Sequence, residues 1–283
     1  MLLGYNTNGF AHHRLDDAVG VLAEIGYQSI AITIDHHVLS PYESNIGGRI
    51  DQIRELLTNY RMHSVIETGA RFLLDARHKH HPTLMSPAAA DRDRRVDFLR
   101  RAIDVAVGIG SDAVSFWSGA LHDDVTLTVA MDHLLAGCQR VLEYAIAKNI
   151  RLAFEPEPGM FIERMGDFAE LSRRINHPLF GLTIDIGHVH CLADGSIPQV
   201  IEQWSDRIFN IHIEDMRRSV HDHLMFGEGE IEFAPVLAKL REIGYSGGVH
   251  VELSRHSHDA VAAAQQAYKF LRPLILDPFG RNQ

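Results

Sequence analysis

The chain has 283 residues, 46% hydrophobic and 23% charged, with a formal net charge of −10. No apolar run is long enough to cross a bilayer, MLLGYNTNGF lacks the basic start and long apolar stretch of a signal peptide, and the negative balance disfavours nucleic acid. A cytoplasmic protein acting on small molecules is expected, without membrane or nucleic-acid partners; Cys138 and Cys191 are too few for a disulfide scaffold or a cysteine zinc site.

From LLGYNT (2–7) onward, short β-branched runs alternate with longer amphipathic stretches. The predicted strands continue as SIAITID (29–35), MHSVIET (62–68), AVSFWS (113–118), RLAFEPE (151–157), FGLTIDIG (180–187), IFNIHIED (208–215) and GVHVELS (248–254). Helical periodicity occupies 15–25, 47–60, 92–108, 126–148, 166–175, 197–204, 233–243 and 258–272. Asp16 or Asp17 opens the first helix, and the IGY segments at 25–27 and 243–245 place glycine where a helix stops. Eight strands alternating with eight helices, uninterrupted by a linker, predict an α/β fold: a single-domain (β/α)8 TIM barrel over residues 1–283. The absence of GxGxxG after the first strand argues against an open dinucleotide-binding sheet.

The carboxyl ends of barrel strands share one rim, where barrel enzymes build their sites. Strands five to eight each bring a metal-binding side chain there: Glu155 in AFEPEPG, Asp185 in LTIDIGHVH, His212 in NIHIEDM and Glu252 in HVELSRHS. One strand-end acid often only caps the next helix, whereas four such residues on neighbouring strands predict a common point. Two Glu, one Asp and one His form an oxygen-rich set suited to Mn²⁺, Mg²⁺, Co²⁺ or Zn²⁺. The 19 histidines add a stock of metal ligands and near-neutral proton carriers.

LAFEPEPG, LTIDIGHVH, NIHIEDM followed by GEGEI, and HVELS, in that order, resemble the xylose isomerase-like barrel superfamily of sugar phosphate isomerases and epimerases, which includes endonuclease IV. The likeness spans the chain and is most specific over 150–255. It implies one divalent metal held by Glu155, Asp185, His212 and Glu252, with His188 touching substrate or a second metal. It also implies a sugar, sugar phosphate, keto-sugar or cyclitol substrate that loses a proton beside its carbonyl through a metal-stabilised enediolate. Under this resemblance Glu155 and Glu252 are the natural pair to take and return the proton, with Glu157 the alternative base, because ligation would lower the basicity of the other two.

A dehydratase of the inosose dehydratase kind uses the same enolate, and a zinc-dependent phosphoester hydrolase related to endonuclease IV is the alternative of another class. His221 and His223 in HDHLMFGEGEI stand where endonuclease IV has an Asp-x-His pair on an additional zinc, so with His188 they form a candidate second, zinc-preferring site. That enzyme also has a ligating His near each of two early strand ends, where this chain has Glu67 and FWSG (116–119).

Long connections follow strands three (69–93) and seven (216–232), and such loops are commonly functional. Arg71, Arg77, His78, Lys79, His80 and His81 form a basic cluster suited to a lid over a phosphate or carboxylate. Arg217 or Arg218, and Ser254, Arg255 and His256, would complete it. Trp117 offers a wall for the apolar face of a sugar, and Glu67 joins the substrate-binding candidates with His188, Arg217 and Arg255. Tyr5, Asn6, Asp35 and one of His36 and His37 are placed at the same rim. A homo-oligomer is compatible with the chain, though no stripe demands one.

Overall fold

The computed structural model describes residues 1–69, 71–121 and 124–276. Ala70 of the third loop, His122, Asp123 and the last part of the expected 1–283 span, 277–283, lie outside these residues. The first seven strands are β1 (Leu2–Asn6), β2 (Ser29–Thr33), β3 (His63–Glu67), β4 (Ala113–Phe116), β5 (Arg151–Phe154), β6 (Phe180–Asp185) and β7 (Ile208–Ile213). A short antiparallel hairpin, β8 (Asp215–Arg217) and β9 (Val220–Leu224), interrupts the series. Then β10 (Gly248–Val251) pairs with β7 on one side and β1 on the other, closing an all-parallel barrel.

The helices are α1 (Leu15–Ile25), α2 (Ile46–Tyr60), α3 (Ala89–Ile109), α4 (Leu127–Lys148), α5 (Met165–Ile175), α6 (Ile186–Cys191), α7 (Ile197–Gln203), α8 (Phe233–Glu242) and α9 (Ala260–Leu276). The barrel matches the predicted alternation, but its strands end earlier than their apolar patterns. After β6 the chain turns at once into α6, too short to show helical periodicity. Gly26, at φ 115°, ends α1 in the left-handed conformation that its place in IGY predicts.

Side chains alternate along each strand between the helices and the barrel axis. Leu3, Ile30, Ile32, Ile66, Val114, Phe116, Leu152, Phe154, Leu182, Ile184, Ile211, Ile213, Val249 and Val251 belong to one continuous buried core with helix residues such as Leu22, Phe98, Leu134 and Phe168. Each such burial contributes about 1.5–3 kcal/mol. The residues between them are small or polar: Val65, Ala113 and Ala153 form a separate layer with Phe209 against it, and Ser115 Oγ lies 2.8 Å from Thr183 Oγ1. Stability thus resides mainly between strands and helices, which leaves the axis available for polar chemistry. Cys138 and Cys191 are buried free thiols. Among the described residues no helix is long and apolar enough to cross a membrane.

Candidate active site

Glu155, Asp185, His212 and Glu252 follow the axis-facing parity of Ala153, Thr183, Asn210 and His250. Asp185 pairs with His212 in the β6–β7 register, and backbone amides extend the ladders to the glutamates: Glu155 N donates to Phe116 O and Glu252 N to Ile213 O. One donor atom from each of the four lies within 4.8 Å of all the others. His212 Nδ1 is 2.7 Å from Glu252 Oε2 and 3.2 Å from Glu155 Oε1, while its Nε2 is 2.9 Å from Glu67 Oε1. Asn8 Nδ2 donates to Glu252 Oε1 at 2.7 Å and fixes that carboxylate.

Burial alone would lower the His212 pKa, but Glu252, Glu155 and Glu67 raise it well above the ordinary histidine range. Burial, opposed by His212, raises Glu155 well above a usual carboxylate. For Glu252 burial acts upward but His212 wins, and its carboxyl is lowered. Asp185 is likewise lowered against its burial, by His188 and then His223. Asp185 serves two purposes: Oδ1 accepts the His188 backbone N–H at 2.9 Å and caps α6, whereas the buried Oδ2 has no hydrogen-bond partner.

A divalent cation suits these residues. Three carboxylates crowd around one imidazole, the buried Asp185 Oδ2 accepts no hydrogen bond from a described residue, and the donors are the oxygen-rich mixture hard or borderline cations take.

A second group adjoins the first. His188 Nε2 is 3.0 Å from His221 Nε2 and 3.4 Å from Asp185 Oδ2, and one nitrogen from each of His188, His221 and His223 falls within the same 4.8 Å limit. Burial, reinforced by His221 and His223 against the pull of Asp185, lowers His188 to about 4, so it is neutral near pH 7, the form that binds cations. The hairpin carrying His221 and His223 is fixed by Asp215, whose carboxylate accepts the backbone N–H groups of Met216, Gly227, Gly229 and Ile231.

Glu155, His212, Glu252, His188, His221 and His223 line a cavity of about 330 Å³, whereas Asp185 is not in its wall. Glu67, Trp117, Glu157, His188, Arg255 and Asn6 are in its wall. Burial, then the charges of Glu252 and Asp185, pushes Glu157 up to about 8. Of the predicted lid, Arg71, Lys79 and His80 reach the cavity. Neither Arg71 nor Lys79 makes a side-chain hydrogen bond or ion pair with a described residue, and the His80 ring packs edge-on against Trp117 at 5.2 Å. Ser254 also lines the wall, and Arg255 pairs with Asp222 at 2.6 Å.

Other predicted residues lie elsewhere. Arg217 is exposed and donates to Glu228 O of its own loop, so it does not line the cavity; Arg218 uses its backbone N–H on Glu230. Arg77 and His78 are exposed beside Asp75. His36 and His37 are both exposed beyond the end of β2, so neither points inward. Tyr5 faces the helix-side core against Phe10 and Tyr27.

Three residues missed from sequence matter here: Asn8, Asn210 and Glu214. Glu214 is fully buried, neither carboxylate oxygen is hydrogen-bonded to a described residue, Oε2 is 4.0 Å from His223 Nδ1, and its pKa is raised well above normal by burial and then Asp185. Its place two residues after His212, on the same strand face, was a readable signal. Gly187 makes room for it: a methyl there would overlap the Glu214 carboxylate.

A closed parallel barrel with this donor set at its carboxyl mouth defines a class, and the chain belongs to it: residues 19–274 match the xylose isomerase-like TIM barrel family. An uncharacterized protein of Methanocaldococcus jannaschii is 25% identical over 280 residues, covering 96% of this chain and 89% of its own. The L-ribulose-5-phosphate 3-epimerase UlaE of Shigella boydii is 22% identical over 214 residues, 75% of each chain. Among solved structures, the IolI protein with a bound zinc atom superposes with a TM-score of 0.79 at 18% identity, covering 99% of this chain and 100% of its own.

Proposed function

We propose that the protein is a divalent-metal-dependent sugar isomerase or epimerase that moves a proton at the carbon next to a carbonyl. The observation that carries this reading is the placement of Glu155 and Glu252 beside His212 Nδ1 on the cavity floor, with Asp185 completing the donor set. A bound divalent cation supplies Lewis-acid charge that polarises a carbonyl. One of Glu155 and Glu252 takes the proton, the C–H electron pair enters the neighbouring carbonyl to give an enediolate, and the other glutamic acid returns a proton to the opposite face. Asn8 holds Glu252 in line for this transfer. Glu157, near neutral in its titration and free of ligation, is the alternative proton carrier. The epimerase name of the UlaE relative supports a keto-sugar or its phosphate, and Arg71 and Lys79, which pair with no described residue, suit a substrate phosphate or carboxylate.

The imidazole cluster of His188, His221 and His223 favours a second reading, a zinc-dependent phosphoester hydrolase with an additional zinc there. Incubation of ketopentoses, ketohexoses, their phosphates and keto-cyclitols with Mn²⁺-loaded protein in D₂O decides between them. Deuterium at one carbon of a recovered sugar supports the epimerase, and loss of water from an exchanging cyclitol or sugar supports a dehydratase. Phosphoester cleavage without exchange in any sugar sinks the epimerase reading.

A further inference from the structure

Beneath the site, the barrel axis holds a column of polar side chains. Ser29 Oγ is 2.8 Å from His250 Nε2, His250 Nδ1 is 2.7 Å from Asn210 Oδ1, and Asn210 Nδ2 is 2.9 Å from Glu67 Oε1. Glu67 Oε1 is in turn 2.9 Å from His212 Nε2. Four strands, β2, β10, β7 and β3, supply these residues, and all five side chains are buried. Space for the His250 ring is built in, because a methyl on Gly4 or on Gly248 would overlap the imidazole. Apolar side chains fill another part of the axis without difficulty, as Val65, Ala113 and Ala153 do. Two glycines and a serine arranged around a buried histidine are therefore not needed merely to fill volume.

The donors and acceptors fit one polarity, in which the Ser29 hydroxyl turns to His250 Nε2 at 2.8 Å rather than to His63 O at 3.4 Å. The Glu67 carboxylate only accepts, so Asn210 turns its NH₂ to Glu67 and its carbonyl to His250. His250 Nδ1 then carries the proton, its Nε2 accepts, and the Ser29 hydroxyl donates. Asn210 Nδ2 and His212 Nε2, 3.1 Å apart, both lie 2.9 Å from Glu67 Oε1, and in this polarity both donate to it. With Nε2 bound in this way, His212 presents Nδ1 to Glu155 and Glu252.

We propose that Ser29, His250 and Asn210 are positioning residues that, through Glu67, hold the His212 ring with Nε2–H bound and Nδ1 directed at the divalent cation. The proposal rests on the metal reading above. It places part of the control of metal affinity on the closed side of the barrel, away from substrate. Hydrogen-bonded partners of this kind orient a ligating imidazole, and their loss typically weakens metal binding 10–100-fold.

Calorimetric titration of the full chain with Mn²⁺ tests this, alongside melting of the metal-free proteins and ¹⁵N-imidazole spectra. Glu67→Gln and Asn210→Ala are each expected to weaken Mn²⁺ binding about 10–100-fold. The double variant should bind no more weakly than the poorer single one, because both act through one path. The wild-type spectrum should show His250 protonated on Nδ1, a readout that requires no variant to fold. Wild-type affinity in folded variants, additive losses in the double variant, or His250 protonated on Nε2 would each overturn the relay while leaving the metal reading intact. A wild-type chain that binds no divalent cation would overturn both.

Discussion

Replacing Glu157 with Gln measures the field that the site imposes on its unligated carboxyl. Burial, then Glu252 and Asp185, raises Glu157 from the ordinary 4.5 to about 8 in the metal-free protein. Below pH 4.5 the folded and unfolded chains both keep this proton, so the group has no influence on stability. Between 4.5 and about 8 the unfolded chain has released it and the fold has not, so stability falls as pH rises; above 8 the loss is constant. Each pH unit in that window weakens the fold by about 1.4 kcal/mol. The full window gives about 4–5 kcal/mol at most, and solvent screening of a half-buried side chain brings this to about 2–4 kcal/mol. Glu157→Gln removes the effect, so its stability advantage over wild type should grow by that amount between about pH 4.5 and 8.5. Urea denaturation of metal-stripped protein at closely spaced pH values reads the difference. Parallel pH curves for the two proteins would refute the argument that Glu157 feels Glu252 and Asp185. In saturating Mn²⁺ the gap should shrink, because a bound cation offsets those two charges.

Asp185→Asn and Glu252→Gln should each remove calorimetrically detectable Mn²⁺ binding, and tight binding by either variant would take that residue out of the donor set. Because Glu155 and His212 are both raised in the metal-free chain, cation binding should release protons and therefore strengthen as pH rises, by up to about tenfold per pH unit for each proton released. Calorimetry in buffers of different ionisation enthalpy counts those protons, and a pH-independent affinity would contradict their presence. Gly187→Ala should lower stability by about 1–3 kcal/mol through overlap with the Glu214 carboxylate and Met216. Adding Glu214→Ala should recover part of that loss; strictly additive losses in denaturant unfolding would mean that the two positions do not touch.

The barrel was legible because its strands are buried on both faces, so runs such as SIAIT and FGLTID stand out against the helices between them. The convergence of Glu155, Asp185, His212 and Glu252 was legible because each ends an apolar run at the parity that faces the axis. The polar column was not, since Asn210 and Glu67 are 143 positions apart and meet only across the closed barrel. His250 in GVHVELS looks like one of many histidines until Gly4 and Gly248 are seen making room for it. The 215–224 hairpin was read as loop, because two short strands that pair with each other and point toward a cavity carry no hydrophobic alternation. Arg217 was a plausible anion ligand by position, yet its side chain turns back to a carbonyl of its own loop.

Asp215 has an implication for how such a protein can diverge. One carboxylate gathers four amides from both ends of the excursion, so the segment between Met216 and Gly227 is pinned at its root and plugs into the barrel as a module. A graft that changes its length or its histidines would leave the clasp and the parallel ladder in place. New chemistry at the mouth can therefore be acquired by exchanging about ten residues, without renegotiating the scaffold that carries them.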